Sequence, residues 1–278
     1  MHQGITLKNG VEMPLLGFGV FRLKEEERIS CVRTAVETGY RLFDTAAACQ
    51  DEQAVGTALR QAVEDGLVKR EELFLTAKLS LQDVGENRTE AAFEETLKKL
   101  QTDYVDLYLI HWPVPGCYQE TWKAMEKIYA SGRAKSVGVS NFEPRHLEEL
   151  AKISDLVPAV NQIEFHPYYY QKATLEYCQA HGIQVQAYAP LARGAYLEND
   201  VMCVLATKYG KTPAQIGLRW SIQKGVAVIP KSTRAERIQA NGDIFNFEIE
   251  PEDMEIIDSL NQNYRSANIP EDLRNIPW

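Results

Sequence analysis

Three reactive side chains close three apolar runs. Asp44 ends Arg41-Leu42-Phe43-Asp44, Lys78 ends Phe74-Leu75-Thr76-Ala77-Lys78, and His111 ends Leu107-Tyr108-Leu109-Ile110-His111. An ammonium beside a carboxyl favours the charged acid, and a histidine at the same place can hydrogen-bond a carbonyl oxygen. Taken singly, each has a blander reading as a rim ion pair or a satisfied histidine. On neighbouring elements the three read together as a site. A second cluster follows Val228-Ile229-Pro230-Lys231-Ser232, where Thr233-Arg234-Ala235-Glu236-Arg237 reads as a helix start. Lys, Ser and Arg around the free N–H groups of a helix start make an anion site. The alternative is a solvated basic helix end. In a chain of net charge −9, a local positive cluster favours bound phosphate.

Short runs with strand character position these groups, at 15–20, 41–45, 73–78, 105–111, 136–140, 159–165, 184–189 and 227–232. Most are apolar through the middle, as parallel strands buried on both faces are. Between them lie helical periods: Ile29, Val32 and Val36 share a face, as do Phe93, Leu97 and Leu100, then Trp122, Met125 and Ile128. Gly39, Gly132, Gly182 and Gly225 each follow a helical stretch and precede a strand, which suits a left-handed residue past the helix end. Thr212-Pro213-Ala214-Gln215 reads as a capped helix start. No linker or charge block divides the chain, so one (β/α)8 TIM barrel domain over 1–278 is expected. Asn9-Gly10 between strand-forming residues predicts an N-terminal β-hairpin, placed to plug the barrel's bottom. Gly17-Phe18-Gly19 is only a fragment of a dinucleotide fingerprint, because Arg22 stands where its last glycine would be; a tight bend is expected there instead.

Composition narrows the function. Of 278 residues, 45% are hydrophobic and 25% charged, an ordinary globular balance. The acidic excess argues against a nucleic-acid binder, and no apolar run suggests a membrane span or signal peptide. Five widely spaced cysteines without a CxxC pair argue against a disulfide scaffold or zinc site and for a reducing, cytoplasmic location. No metal is expected, and the chain is expected to be a monomer or at most a weak oligomer.

Across nearly its whole length the sequence resembles the aldo-keto reductases. The resemblance is carried by Phe43-Asp44-Thr45-Ala46, Thr76-Ala77-Lys78, Leu109-Ile110-His111-Trp112-Pro113, Gly138-Val139-Ser140-Asn141-Phe142, Asn161-Gln162-Ile163-Glu164-Phe165-His166-Pro167 and Ile229-Pro230-Lys231-Ser232. It implies a barrel that uses NADP(H) to reduce small aldehydes or ketones, with Asp44, Lys78 and His111 catalytic. It also implies that Ser140, Asn141 and Gln162 bind the nicotinamide amide and that Tyr188 stacks on the ring, with Leu191 in the same cofactor site. Lys231, Ser232 and Arg237 would hold the 2′-phosphate, with Asn241 against the adenine. The expected partner is a small carbonyl substrate.

One position departs from the resemblance. The family's proton-donor tyrosine would stand at Cys49, in Ala46-Ala47-Ala48-Cys49-Gln50-Asp51. A thiol is shorter than a phenol, and a neighbouring Lys or His⁺ is expected to draw its pKa down toward ~7. A thiolate has no proton to give and would repel a developing alkoxide. The readings open at this point are an impaired or altered reductase and an NADP(H)-binding protein with little turnover, a sensor or an inactivated variant. A phosphate-binding isomerase would explain only the basic cluster. Phe21, Trp112 and Tyr118 are expected to line the substrate mouth, with core packing the alternative for Phe21. His166 reads as a packed structural histidine, and the polar tail ending in Trp278 as a flap over the mouth or a frayed end.

Overall fold

The computed structural model describes residues 3–270 and Leu273. A two-stranded antiparallel hairpin, β1 (Gly4–Thr6) and β2 (Glu12–Pro14), opens the chain. The barrel strands are β3 (Gly17–Gly19), β4 (Leu42–Asp44), β5 (Phe74–Leu79), β6 (Leu107–Ile110), β7 (Val137–Ser140), β8 (Val160–Glu164), β9 (Gln184–Tyr188) and β10 (Ala227–Val228). They pair in parallel, each with its sequence neighbour, into an eight-stranded sheet. Val228 N–H donates to Leu15 O at 2.8 Å and Gly19 N–H to Pro230 O at 3.1 Å, which closes the sheet into a barrel.

Helices alternate with the strands: α1 (Glu25–Glu37), α2 (Glu52–Glu64), α3 (Glu86–Leu100), α4 (Tyr118–Ala130), α5 (Pro144–Ala151) and α6 (Lys172–His181). Two, α7 (Asp200–Tyr209) and α8 (Pro213–Gln223), separate β9 from β10; α9 (Ala235–Gly242) and α10 (Pro251–Asp258) follow. The four expected glycines all have positive φ, between +70° and +98°. Thr212 and Gln215 form the reciprocal cap at the start of α8.

The two-residue period of each strand sorts its side chains. Phe43, Leu75, Tyr108 and Ile163 face out into the layer shared with the helices. Leu42, Phe74, Leu107, Leu109 and Val160 face in, and meet Leu7 and Met13 of the hairpin. The hairpin therefore plugs the N-terminal end of the barrel, with Asn9 Nδ2 tied to Lys135 O at 2.9 Å. Further along the same inward rows stand Asp44, Lys78, His111 and Gln162. Apolar residues fill the closed end, and polar ones collect at the C-terminal mouth.

Two local expectations are corrected. Gly17 and Gly19 do not form a bend. They lie inside β3, where a Cβ on Gly17 would stand 2.2 Å from Leu42 Cδ2 and one on Gly19 2.9 Å from Ile229 O. These glycines let neighbouring strands close the barrel. Ile29 is 40% exposed, and α1 instead buries Val32, Ala35 and Val36.

Candidate active site

At the mouth, Lys78 Nζ donates to Asp44 Oδ1 at 2.5 Å and to Thr45 O at 3.1 Å. Both side chains are buried, so this ammonium and carboxylate are held together with little water around them. Gln162 Nε2 donates to Asp44 Oδ2 at 2.6 Å and to Gln186 Oε1 at 2.7 Å. Both donors of that amide are thereby used, which leaves Gln162 its Oε1 as an acceptor.

The rest of the mouth joins this network through β7. Ser140 Oγ donates to Gln162 O at 2.7 Å and accepts from Asn141 Nδ2 at 3.0 Å. Asn141 Nδ2 also reaches His111 O at 3.0 Å, and Tyr188 OH donates to Asn141 Oδ1 at 2.8 Å. Asn141 has φ +63°, a left-handed conformation that asparagine tolerates better than most residues. It turns the chain out of β7 and swings the amide across the mouth.

His111 follows β6 directly. Burial, and then the charge of Lys78, push its pKa down to about 3. At neutral pH its imidazole is therefore uncharged, with a single N–H to give. Its Nδ1 is buried and unpartnered among the described residues.

Cys49 ends a 3₁₀ turn, Ala47–Cys49, that leaves β4. The expectation of a thiolate is overturned. Burial comes first and the Asp51 carboxyl second, and with Asp44 and Glu52 they outweigh Lys78 and push the thiol up to about 12. Lys78 is already matched by Asp44, so the net field at the sulfur is that of the surrounding acids. The thiol keeps its proton.

Past β10, Lys231, Ser232, Arg234 and Arg237 lie along the turn into α9 and its first turn. Arg234 caps α9, and its N–H donates to Ser232 Oγ at 3.1 Å. Lys231, Arg234 and Arg237 are exposed and make no ion pair among the described residues, while Asn241 is buried on the same helix. Leu191 is half-buried just past β9. Phe21 is 55% exposed beyond β3, and Trp112 is buried. Tyr118 is given a packing position instead of a place on the mouth. Its ring stands edge-on to Phe142 at 5.5 Å and His146 at 5.7 Å, and its hydroxyl binds Glu149. Trp278 and most of the tail lie outside the described residues.

Sequence reasoning missed the acids behind Cys49 and a buried carboxylate on β8. Glu164 Oε1 accepts from Ser266 N and Ser266 Oγ, each at 2.6 Å, and meets His166 Nε2 at 3.1 Å. Its place two residues past Gln162, in the same inward row, was the available signal. His166 is fully buried, as a structural histidine would be.

The aldo/keto reductase family model matches residues 15–262. A glyoxal reductase of Bacillus subtilis is 47% identical over 270 residues, covering 97% of this chain and 96% of its own. A methylglyoxal reductase of Escherichia coli K12 is 43% identical over 271 residues, covering 96% of each chain. The structure of a Bombyx mori aldo-keto reductase in complex with NADP superposes with a TM-score of 0.94 at 38% identity, covering 100% of this chain and 98% of that one.

Proposed function

The chain belongs to the aldo/keto reductase family, and from that premise we propose that it reduces small aldehydes or ketones with NADPH, with a thiol in the place of the proton-donor phenol. One observation carries the reading: the buried Lys78–Asp44–Gln162 network shares a mouth with uncharged His111 and with the Asn141–Tyr188 pair. The residues fit the cofactor at both ends. Exposed Lys231, Arg234 and Arg237 at the start of α9, with no carboxylate partner among the described residues, suit a phosphate. The half-buried Tyr188 ring and the free Gln162 Oε1 suit a carboxamide-bearing ring.

When bound, the reduced nicotinamide supplies a hydride to the carbonyl carbon. Ser140, Asn141 and Gln162 would orient that ring, and Tyr188 would stack on it. His111 would give its N–H to the carbonyl oxygen, and Cys49 would deliver the proton. Lys78 and Asp44 stay paired and fix the field at the mouth. The short, tightly protonated thiol makes this a slow catalyst. The names of the two bacterial relatives support glyoxal and methylglyoxal as the first substrates to try.

The direct test is NADPH consumption with these carbonyls, run beside a melting curve. Slow turnover and a raised melting temperature with NADPH are expected, because a ligand of the native state stabilises it. Stabilisation without consumption would instead mean a cofactor-binding protein with little turnover.

Cofactor choice gives a second expected result. Arg237→Ala should weaken NADPH binding about tenfold, the worth of one charge-assisted contact, while NADH binding changes little. Equal weakening of both, measured by titration at one salt concentration, would remove Arg237 from the 2′-phosphate site.

A further inference from the structure

Asp44 decides how the amides of the mouth are turned. A carboxylate can only accept, so Gln162 must present Nε2 to Asp44 Oδ2, at 2.6 Å. The second N–H of that nitrogen meets Gln186 Oε1 at 2.7 Å. Gln186 is the in-register partner of Gln162 on β9, two residues before Tyr188. Reversing the Gln186 amide would face one NH2 group with another at that distance, so its orientation is fixed as well.

Gln186 is fully buried, and its own Nε2 has no partner among the described residues. A buried amide nitrogen left unpaired destabilises a fold, and Met or Leu would fill that inward place on β9 without one. What the glutamine supplies in return is a locked neighbour. With one Nε2 proton held by Asp44 and the other by Gln186, Gln162 has no donor left for the mouth. The groups around it are in the same state. Asn141 commits Nδ2 to His111 O and Ser140 Oγ. Ser140 gives its hydroxyl to Gln162 O, and Tyr188 gives its hydroxyl to Asn141 Oδ1. Every side-chain proton of Ser140, Asn141, Gln162 and Tyr188 is thus committed inside the network, and what the four offer a ligand is oxygen acceptors.

We propose that Gln186 is a positioning residue for cofactor selection. By holding Gln162 with only Oε1 free, it makes the mouth read N–H groups, and so favours a ring bearing a carboxamide over one bearing an acetyl group or a carboxylate at the same place. The proposal rests on the cofactor reading above. Gln186 acts through Gln162.

Binding of oxidised cofactors, followed by calorimetry, tests this without turnover. The wild type should bind NADP⁺ about tenfold or more tighter than its 3-acetylpyridine analogue, in which a methyl group replaces the amide nitrogen and leaves an acceptor unpaired. Gln186→Met keeps the volume and removes the acceptor. The freed second proton of Gln162 can then meet the acetyl oxygen, and the affinity ratio should narrow at least about threefold. A glutamine with a purely structural role predicts equal weakening of both ligands and an unchanged ratio. If Gln186→Met does not fold, Gln186→Leu replaces it. An unchanged ratio in the variant, or a wild type that binds the two ligands equally, overturns the role of Gln186 and leaves the cofactor reading standing. A wild-type protein that binds neither ligand overturns the cofactor reading, and the selection with it.

Discussion

Cys49→Tyr should raise kcat/KM for small aldehydes by about 10²–10⁴-fold, the usual worth of a well-placed general acid. The thiol holds its proton, pushed up to about 12 by burial and by Asp51, Asp44 and Glu52. Its handicap is therefore reach and a proton held too tightly, and charge repulsion by a thiolate is not the obstacle. A phenol extends further from the same turn and would meet the ammonium of Lys78, which favours a charged oxygen. Lys78→Met in the tyrosine background should then lose most of the gain. That second change also strips Asp44 of its partner, so rates must be compared below the melting temperature of each variant. A parent as active as Cys49→Tyr would sink the argument, because protonation would then come from His111 or water. Blocking the thiol chemically separates those outcomes. Activity lost with cofactor binding intact makes the sulfur a participant.

The strands could be read from the sequence because a parallel strand buried on both faces is a short apolar run, and each of the eight matched such a run. Asp44, Lys78 and His111 could be found because each interrupts its run at the C-terminal end, where an inward polar side chain has nothing to do structurally. Ile29 departs from the expectation because a period of 3.6 leaves a residue at the edge of the stripe undecided: Ile29 is exposed, and Ala35 takes the buried place on α1. Gly17 and Gly19 look like a turn signal, but their cause is a contact with Leu42 and Ile229, which are far away in sequence. The thiol of Cys49 was misread for the same reason. A charge near in sequence or in expectation, Lys78, was counted, while Asp44, its partner at 2.5 Å, was not set against it. Fields at a site are sums over the folded neighbourhood, and only the fold supplies the neighbours.

Glu164→Ala should cost about 3–5 kcal/mol of stability, the range for removing one partner from a buried charged network. Glu164 is fully buried, and it accepts from Ser266 N, Ser266 Oγ and Ala267 N with His166 Nε2 beside it. Truncation leaves these donors unsatisfied and unties the segment after α10 from the end of β8. The melting temperature should fall by roughly 10 °C. The loss has a functional side. Glu164 pairs in register with Tyr188, and the tethered segment carries Arg265, whose guanidinium lies over the Tyr169 ring at 5.3 Å. A loosened segment should therefore raise KM for NADPH more than it lowers kcat. The pH dependence identifies the carboxylate. Burial pushes the pKa of Glu164 up, but hydrogen bonds from His166 and Ser266 outweigh it and hold the group below its ordinary 4.5. A group depressed in the folded state stabilises fully above its unfolded pKa, and that contribution is lost as pH falls through the folded value. Between pH ~5 and more acid conditions, the wild type should therefore lose melting temperature more steeply than Glu164→Gln, whose amide cannot titrate. Parallel acid limbs for the two proteins would show that Glu164 is not the charged anchor of this segment.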